Sequence, residues 1–242
     1  MFIDFRYFSL EDDYYQTDGF TNQDTSDFTR FSGSSVSWDF TQNTLNRKQF
    51  ANEGFFFRFN IRYVDGQENT YPGSTSLFVD TISVKHRWLN FQTEFQSYFL
   101  KRDLFSFGFH LKSVISTQSL FANYTASLLS VPFFDVLPDM NTVFLPEYRS
   151  PQFLGAGLNF VFSIMKKVDF RIDSYWYQPI LRLSKSQNGS FQYAEPFKES
   201  TYLLSSSLIY NTLVGPIRLT LNCYPKQKEP LALQISYGYV IF

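Results

Sequence analysis

The chain has 242 residues and a formal net charge of −1, with 18% charged and 20% aromatic residues, including 30 Phe and 16 Tyr. So aromatic a chain, with less than the ~25% charge of ordinary globular domains, is no disordered tail, and it lacks the basic surface that nucleic acid requires. One cysteine, Cys223, excludes an internal disulfide framework, and two histidines, His86 and His110, leave little material for a zinc centre; no cofactor is expected.

The amino terminus, Met1-Phe2-Ile3-Asp4-Phe5-Arg6-Tyr7, shows no basic region followed by an apolar run and a cleavage site. It reads as the middle of a strand, as expected of a chain that begins inside a larger protein or after a removed leader. No run approaches the ~20 apolar residues of a membrane helix. The apolar residues instead recur with period two, which puts them on one face of a strand. Ile3, Phe5 and Tyr7 begin the pattern, and Val36, Trp38 and Phe40 continue it. Phe55, Phe57, Phe59, Ile61 and Tyr63 then oppose Arg58, Asn60 and Arg62. Leu89, Phe91, Phe95 and Phe99 oppose Asn90, Gln92, Glu94 and Gln96, and Phe105 to Leu111 oppose Ser106, Gly108 and His110. Beyond a long connection come Leu154, Leu158 and Phe160, then Val168, Phe170, Ile172 and Trp176, then Tyr202, Leu204, Leu208 and Tyr210. Ile217, Leu219 and Leu221, and finally Leu231 to Ile241 at odd positions, complete the series. Ten strands follow, at about 1–10, 31–44, 54–67, 86–100, 104–117, 152–164, 168–180, 201–214, 216–225 and 230–242.

Many of these exceed a soluble strand's ~5–6 residues and reach the ~9–11 that cross a bilayer obliquely. Short turns at Lys101–Asp103, Met165–Lys167 and Leu213–Gly215, with the longer 45–54 segment, fall on one side. Long connections at 11–30, 65–85, 118–151 and 181–200 fall on the other, where only Pro225–Glu229 is short. This segregation is the pattern of a transmembrane barrel with periplasmic turns and extracellular loops. The face opposite the aromatics carries Arg6, Arg58, Arg62, Lys112, Arg171 and Arg218 against Asp4, Asp39, Glu94, Asp169 and Asp173, which suits a hydrogen-bonded interior. The fold expected is therefore all-β, an antiparallel transmembrane β-barrel of the bacterial outer membrane with its Phe-rich face in lipid. The alternative is a soluble sandwich or lipocalin-like barrel, which also alternates. Tyr63, Trp88, Tyr98, Trp176, Tyr177, Tyr202, Tyr224 and Tyr239 lie near strand ends, as interfacial girdles require.

Several segments resemble a known superfamily. Phe144-Leu145-Pro146-Glu147-Tyr148-Arg149, Phe153-Leu154-Gly155-Ala156-Gly157 and Phe170-Arg171-Ile172-Asp173 are similar to outer-membrane assembly and two-partner secretion barrels, the BamA and bacterial surface antigen type. Asn43 to Phe50, Tyr63-Val64-Asp65-Gly66, Phe121-Ala122-Asn123-Tyr124, Gly215-Pro216-Ile217 and Tyr237-Gly238-Tyr239-Val240-Ile241-Phe242 resemble, more narrowly, the barrel that follows a patatin-like phospholipase domain in Bacteroidota. The resemblance implies about sixteen strands, of which these ten would be the last, and a long loop folded into the lumen. Carried over, Arg149 is the loop arginine, Asp173, with Asp169, its partner, and Gly155 and Gly157 the glycines beside it. The superfamily's Val-Arg-Gly-aromatic order is absent here, and Arg149 as a surface loop residue is the alternative. Tyr237, Tyr239, Ile241 and Phe242 resemble the carboxyl-terminal signal that barrel-assembly machinery reads.

No G-x-S-x-G elbow occurs, and the spacings hold no metal or phosphate motif. The chain is thus expected to be no enzyme itself. It would anchor, export or assemble an upstream passenger, a patatin-like lipolytic one by resemblance. Its expected partners are outer-membrane lipid, the assembly machinery and that passenger or a second barrel chain. A stand-alone small pore or adhesin barrel is the alternative.

Overall fold

The structure, a computed structural model, describes residues 1–17, 19–76, 79–102, 104–185 and 191–238. Ten strands form one antiparallel sheet in which every strand pairs with its neighbour along the chain. They are β1 (Phe2–Tyr14), β2 (Asp27–Asn43), β3 (Gly54–Tyr71), β4 (Ile82–Arg102), β5 (Phe105–Ser116), β6 (Gln152–Met165), β7 (Val168–Leu181), β10 (Thr201–Asn211), β11 (Pro216–Cys223) and β12 (Leu231–Tyr237). Between β7 and β10 a small hairpin, β8 (Leu183–Lys185) with β9 (Phe191–Tyr193), stands apart from the sheet. Among the described residues, helix is confined to α1 (Tyr124–Ser130) and two short 3-10 turns, Pro138–Thr142 and Pro146–Tyr148, in the β5–β6 connection. No helix of the described residues is long and apolar enough to cross a membrane.

The first four strands outrun the sequence pattern. β1 continues to Tyr14, β2 starts at Asp27, and β3 and β4 keep pairing to Thr70 and Ile82, so much of the expected 65–85 loop is ladder. The outward positions there turn polar at Asp65, Gln67 and Asn69, which removes the apolar alternation while leaving the backbone register intact. The tight turns after β6, β10 and β11 lie where the pattern places them.

Burial is inverted relative to a water-soluble sheet. One face carries Val36, Tyr63, Phe91, Leu111, Leu158, Ile172, Leu204 and Leu219, all exposed, while polar residues on the other face are buried. In β11 the contrast falls between neighbours, with Leu219 43% exposed and Arg218 and Thr220 at 2% and 1%. Ordinarily apolar groups are hidden and charges are not. The polar face is also concave. Arg47, in the β2–β3 connection, reaches Asp169 of β7 at 2.6 Å, and Phe50 lies 5.0 Å from the guanidinium of Arg218 in β11. Those strands are four and six places away in the sheet order, so the sheet must curl for one connection to touch them.

Two segments fill this concavity. From one end enters 44–53; from the other comes 117–151, whose Phe134, Leu137, Met140, Leu145 and Tyr148 pack with Val114, Phe153, Tyr175, Tyr177, Leu203 and Tyr224. Among the described residues this buried cluster is the largest apolar core, and it lies inside the curl rather than between two sheets. Of the eight residues expected at interfacial girdles, Tyr63, Trp176 and Tyr202 do face outward. Tyr98, Tyr177 and Tyr224 are instead buried within, and Trp88 packs against the inner Phe31. Their phase on each strand, even in β4 and odd in β7, aims them at the segments inside. Tyr239 lies outside the described residues.

Candidate functional site

The chemistry-bearing side chains gather on the concave face, where strand alternation delivers one polar residue every second position. In β7, Asp169, Arg171, Asp173 and Tyr175 share that phase. Arg171 donates through Nε to both Asp173 carboxylate oxygens at 2.7 and 2.8 Å, and through Nη1 to the Ala51 carbonyl at 3.0 Å. Asn159 of β6 donates to Asp173 at 2.5 Å and to the Tyr175 hydroxyl at 3.1 Å. Asp169 accepts from Arg47, from Ser163 at 2.8 Å and from Asn211 at 2.9 Å. Each carboxylate has a cation and a neutral donor, the arrangement in which buried charge is tolerated.

The 117–151 segment is tied down in the same way. Asp139, in the first 3-10 turn, is paired with Arg218 of β11 and accepts from Asn222 at 3.2 Å, while Asp135 is paired with Lys112 of β5. Where the segment leaves β5, buried Glu68 of β3 accepts from the Ala122 backbone N–H at 2.9 Å and bonds His86, whose other ring nitrogen meets Ser119 at 2.7 Å. Lower down, the Tyr148 hydroxyl donates to the Tyr202 carbonyl at 2.8 Å, and burial pushes its phenol well above the ordinary range. A cavity of about 530 Å³ lies between the two segments, lined by Arg47, Glu94, His110, Asp139, Arg171, Asp173 and Arg218 among others.

The structure does not bring Arg149 to Asp173. Arg149 lies over the Phe133 ring at 4.8 Å and donates to the Leu129 carbonyl at 3.3 Å, all within its own segment. The backbone bridge between Phe133 and Arg149 turns that side chain along the segment instead of toward β7, and Arg171 already fills the place beside Asp173. Asp169 likewise serves Arg47. Contact between segment and wall exists with the signs reversed, the segment giving the acids Asp135 and Asp139 and the wall the cations Lys112 and Arg218. Nothing in the spacing marked Asp139 or Arg47; their partners are 79 and 122 residues away.

Gly155 and Gly157 do border the inner segment's packing. A Cβ on Gly155 would strike the Phe134 ring, and one on Gly157 the Tyr175 ring. Gly155→Ala is therefore expected to overpack the interior by about 1–3 kcal/mol. Urea unfolding checks this, and Phe134→Leu in the same chain should restore most of the loss; equal stability of Gly155→Ala and parent would remove the glycine from the argument. Tyr237 closes β12 opposite Ile217, exposed on the apolar face. The other residues of the expected assembly signal, Tyr239, Ile241 and Phe242, lie outside the described residues.

Comparison with family models, curated proteins and solved structures finds no match. Among the described residues no three His, Cys, Asp or Glu side chains converge as metal ligands. Every cation named around the cavity is already engaged by a carboxylate or an aromatic ring. The geometry is that of a held interior, with charge pairs fixing two segments against a curved wall.

Proposed function

We propose that the chain is an outer-membrane β-barrel domain that anchors, exports or assembles a passenger, and that its Phe-rich face lies in hydrocarbon. The observation that carries this reading is the inverted burial. A row of exposed Leu, Ile, Val and aromatic side chains on almost every strand has no covering layer, while Arg171, Asp173, Arg218 and Asp139 are buried behind it. In water that surface far exceeds the few hundred Å² a monomer normally exposes. The β4 column Leu89–Phe99 measures roughly 33 Å at ~3.3 Å per residue, and a strand tilt near 40° projects it to roughly 25 Å, the height of a barrel's apolar band.

The interior supports a barrel wider than ten strands. About eight strands enclose room only for their own side chains. Here the wall's inner side chains share the space with 44–53 and 117–151, and β1 and β12 each have one unpaired edge among the described residues. Lipid tolerates no such edge. Further strands, in the chain's own protein or a second copy, would complete a circumference of the order of the sixteen that the resemblance implies. A filled interior also favours anchoring or assembly over an open diffusion pore. That the passenger is a patatin-like lipolytic domain rests on the resemblance of segments such as Asn43–Phe50.

Expressed with a leader in a Gram-negative host, the chain should fractionate with the outer membrane and resist carbonate extraction, and a reporter fused upstream should fractionate with it. Recovery of the chain as a compact monomer in detergent-free buffer would overturn the membrane reading. Outer-membrane residence without retention of the fused reporter would overturn the anchoring role.

A further inference from the structure

The outer wall of β1–β4 changes character within one residue pair. Across these strands the register aligns Phe5, Val36, Tyr63 and Leu89 in one outward row. The next outward row is Tyr7, Ser34, Asp65 and Arg87, and the one after it Ser9, Ser32, Gln67 and Lys85. The apolar band therefore ends at a polar shelf. On that shelf the short side chains of Ser32 and Ser34, over the facing Gly33–Gly66 pair, leave a groove of about 280 Å³ bounded by Tyr7, Asp65, Gln67 and Lys85.

The groove has the chemistry of a headgroup site. Lys85 and Arg87 share one carboxylate, Asp65, at 3.3 and 2.8 Å, which leaves one positive charge in excess, and both cations are more than half exposed. The Ser32 and Ser34 hydroxyls have no hydrogen-bond partner among the described residues, so both are available as donors. Gln67, by contrast, is already engaged with Ser83 at 2.7 Å. An anionic, oxygen-rich group seated here would meet cations and hydroxyls on one side, with the apolar row directly beneath it.

We propose that this groove binds the phosphate-bearing headgroup of a membrane lipid whose acyl chains lie over Phe5, Val36, Tyr63 and Leu89. The proposal rests on the membrane reading and deepens it by assigning one lipid-specific position on the wall. A charge-assisted hydrogen bond from Lys85, which lines the groove, and the positive charge of Arg87 beside Asp65 at its rim supply most of the preference, and the small serines supply the room.

The test uses the whole chain in nanodiscs of phosphatidylcholine doped with phosphatidylglycerol, with lipids that stay bound read by native mass spectrometry. The parent should retain phosphatidylglycerol about fivefold over its bulk share, the equivalent of ~1 kcal/mol. Ser34→Trp, which fills the groove without changing charge, and Lys85→Gln/Arg87→Gln should each abolish the enrichment while inserting as the parent does. Inorganic phosphate at millimolar concentration should leave the enrichment in place, since the acyl chains contribute; its displacement of the lipid would make the groove a site for free phosphate and overturn the lipid assignment. Undiminished enrichment in Ser34→Trp overturns the groove. A parent chain that stays out of the nanodisc refutes the membrane reading and the groove with it, whereas an inserted parent without lipid preference refutes the groove alone.

Discussion

Phe95→Arg is expected to lower stability in a bilayer by about 2–4 kcal/mol, whereas Gln96→Arg should change it by well under half as much. Phe95 lies near the middle of the outward column Leu89–Phe99, paired between Phe57 and Leu111, with its ring 5.3 Å from that of Phe109. An arginine there places a guanidinium near the midplane, too deep for its side chain to reach either interface cheaply. Gln96 points the other way, into the polar cavity of about 530 Å³, which has room for a longer side chain and keeps a guanidinium among polar groups rather than hydrocarbon. Urea unfolding of both variants in liposomes measures the difference. The magnitude discriminates because no second layer covers Phe95. In water, an arginine replacing this half-buried Phe could keep its charge solvated, and the loss would be confined to the contact with Phe109, about 1 kcal/mol. Equal tolerance of the two variants would remove the lipid from the outer face.

Alternation made the sheet legible wherever one face is apolar and the other is not. Phe55 to Tyr63 give β3 its face directly, and all ten strands of the sheet fall where such runs occur. The pattern went silent beyond Tyr63, where Asp65, Gln67 and Asn69 occupy outward positions, although the ladder continues through Glu68 opposite Val84. Hydrogen-bonded register needs no apolar side chain, so a strand that rises past the apolar band reads as a loop. The interior was legible only in composition. Alternation places Arg171, Asp173 and Arg218 on the polar phase, yet it cannot say that Arg171 takes the Asp173 carboxylate from within its own strand, or that Arg47 crosses the interior to Asp169. Those choices depend on the curl of the sheet and on the course of 117–151, neither of which has a periodic signal. Trp88 and Tyr98 were misplaced for a different reason: their even phase in β4 already pointed inward. Aromatic rings near strand ends suit an interface or an inner core equally well, and only the phase decides.

Loss of the Arg218–Asp139 pair should be the costliest single change inside. Both side chains are buried, and the pair joins β11 to the first 3-10 turn of the 117–151 segment. Phe50 of the other inner segment lies 5.0 Å from the same guanidinium, so one side chain holds both segments against the wall. Arg218→Met keeps the bulk but leaves the Asp139 carboxylate buried with neutral amide donors and no cation, at an expected cost of about 3–5 kcal/mol. Adding Asp139→Leu removes the orphaned charge as well as the pair, and the double variant should return to within about 1 kcal/mol of the parent, since a well-packed apolar pair replaces a buried ionic one with little loss. Limited proteolysis supplies an independent reading. Cleavage within 132–150 should accelerate in Arg218→Met and in Asp139→Leu, and should remain faster than the parent in the double variant, because apolar contact restores stability without fixing one position of the segment. Should the double variant cleave as slowly as the parent, the pair contributes no positional hold, and apolar packing against Val114, Phe153, Tyr175 and Tyr177 alone sets where the segment sits.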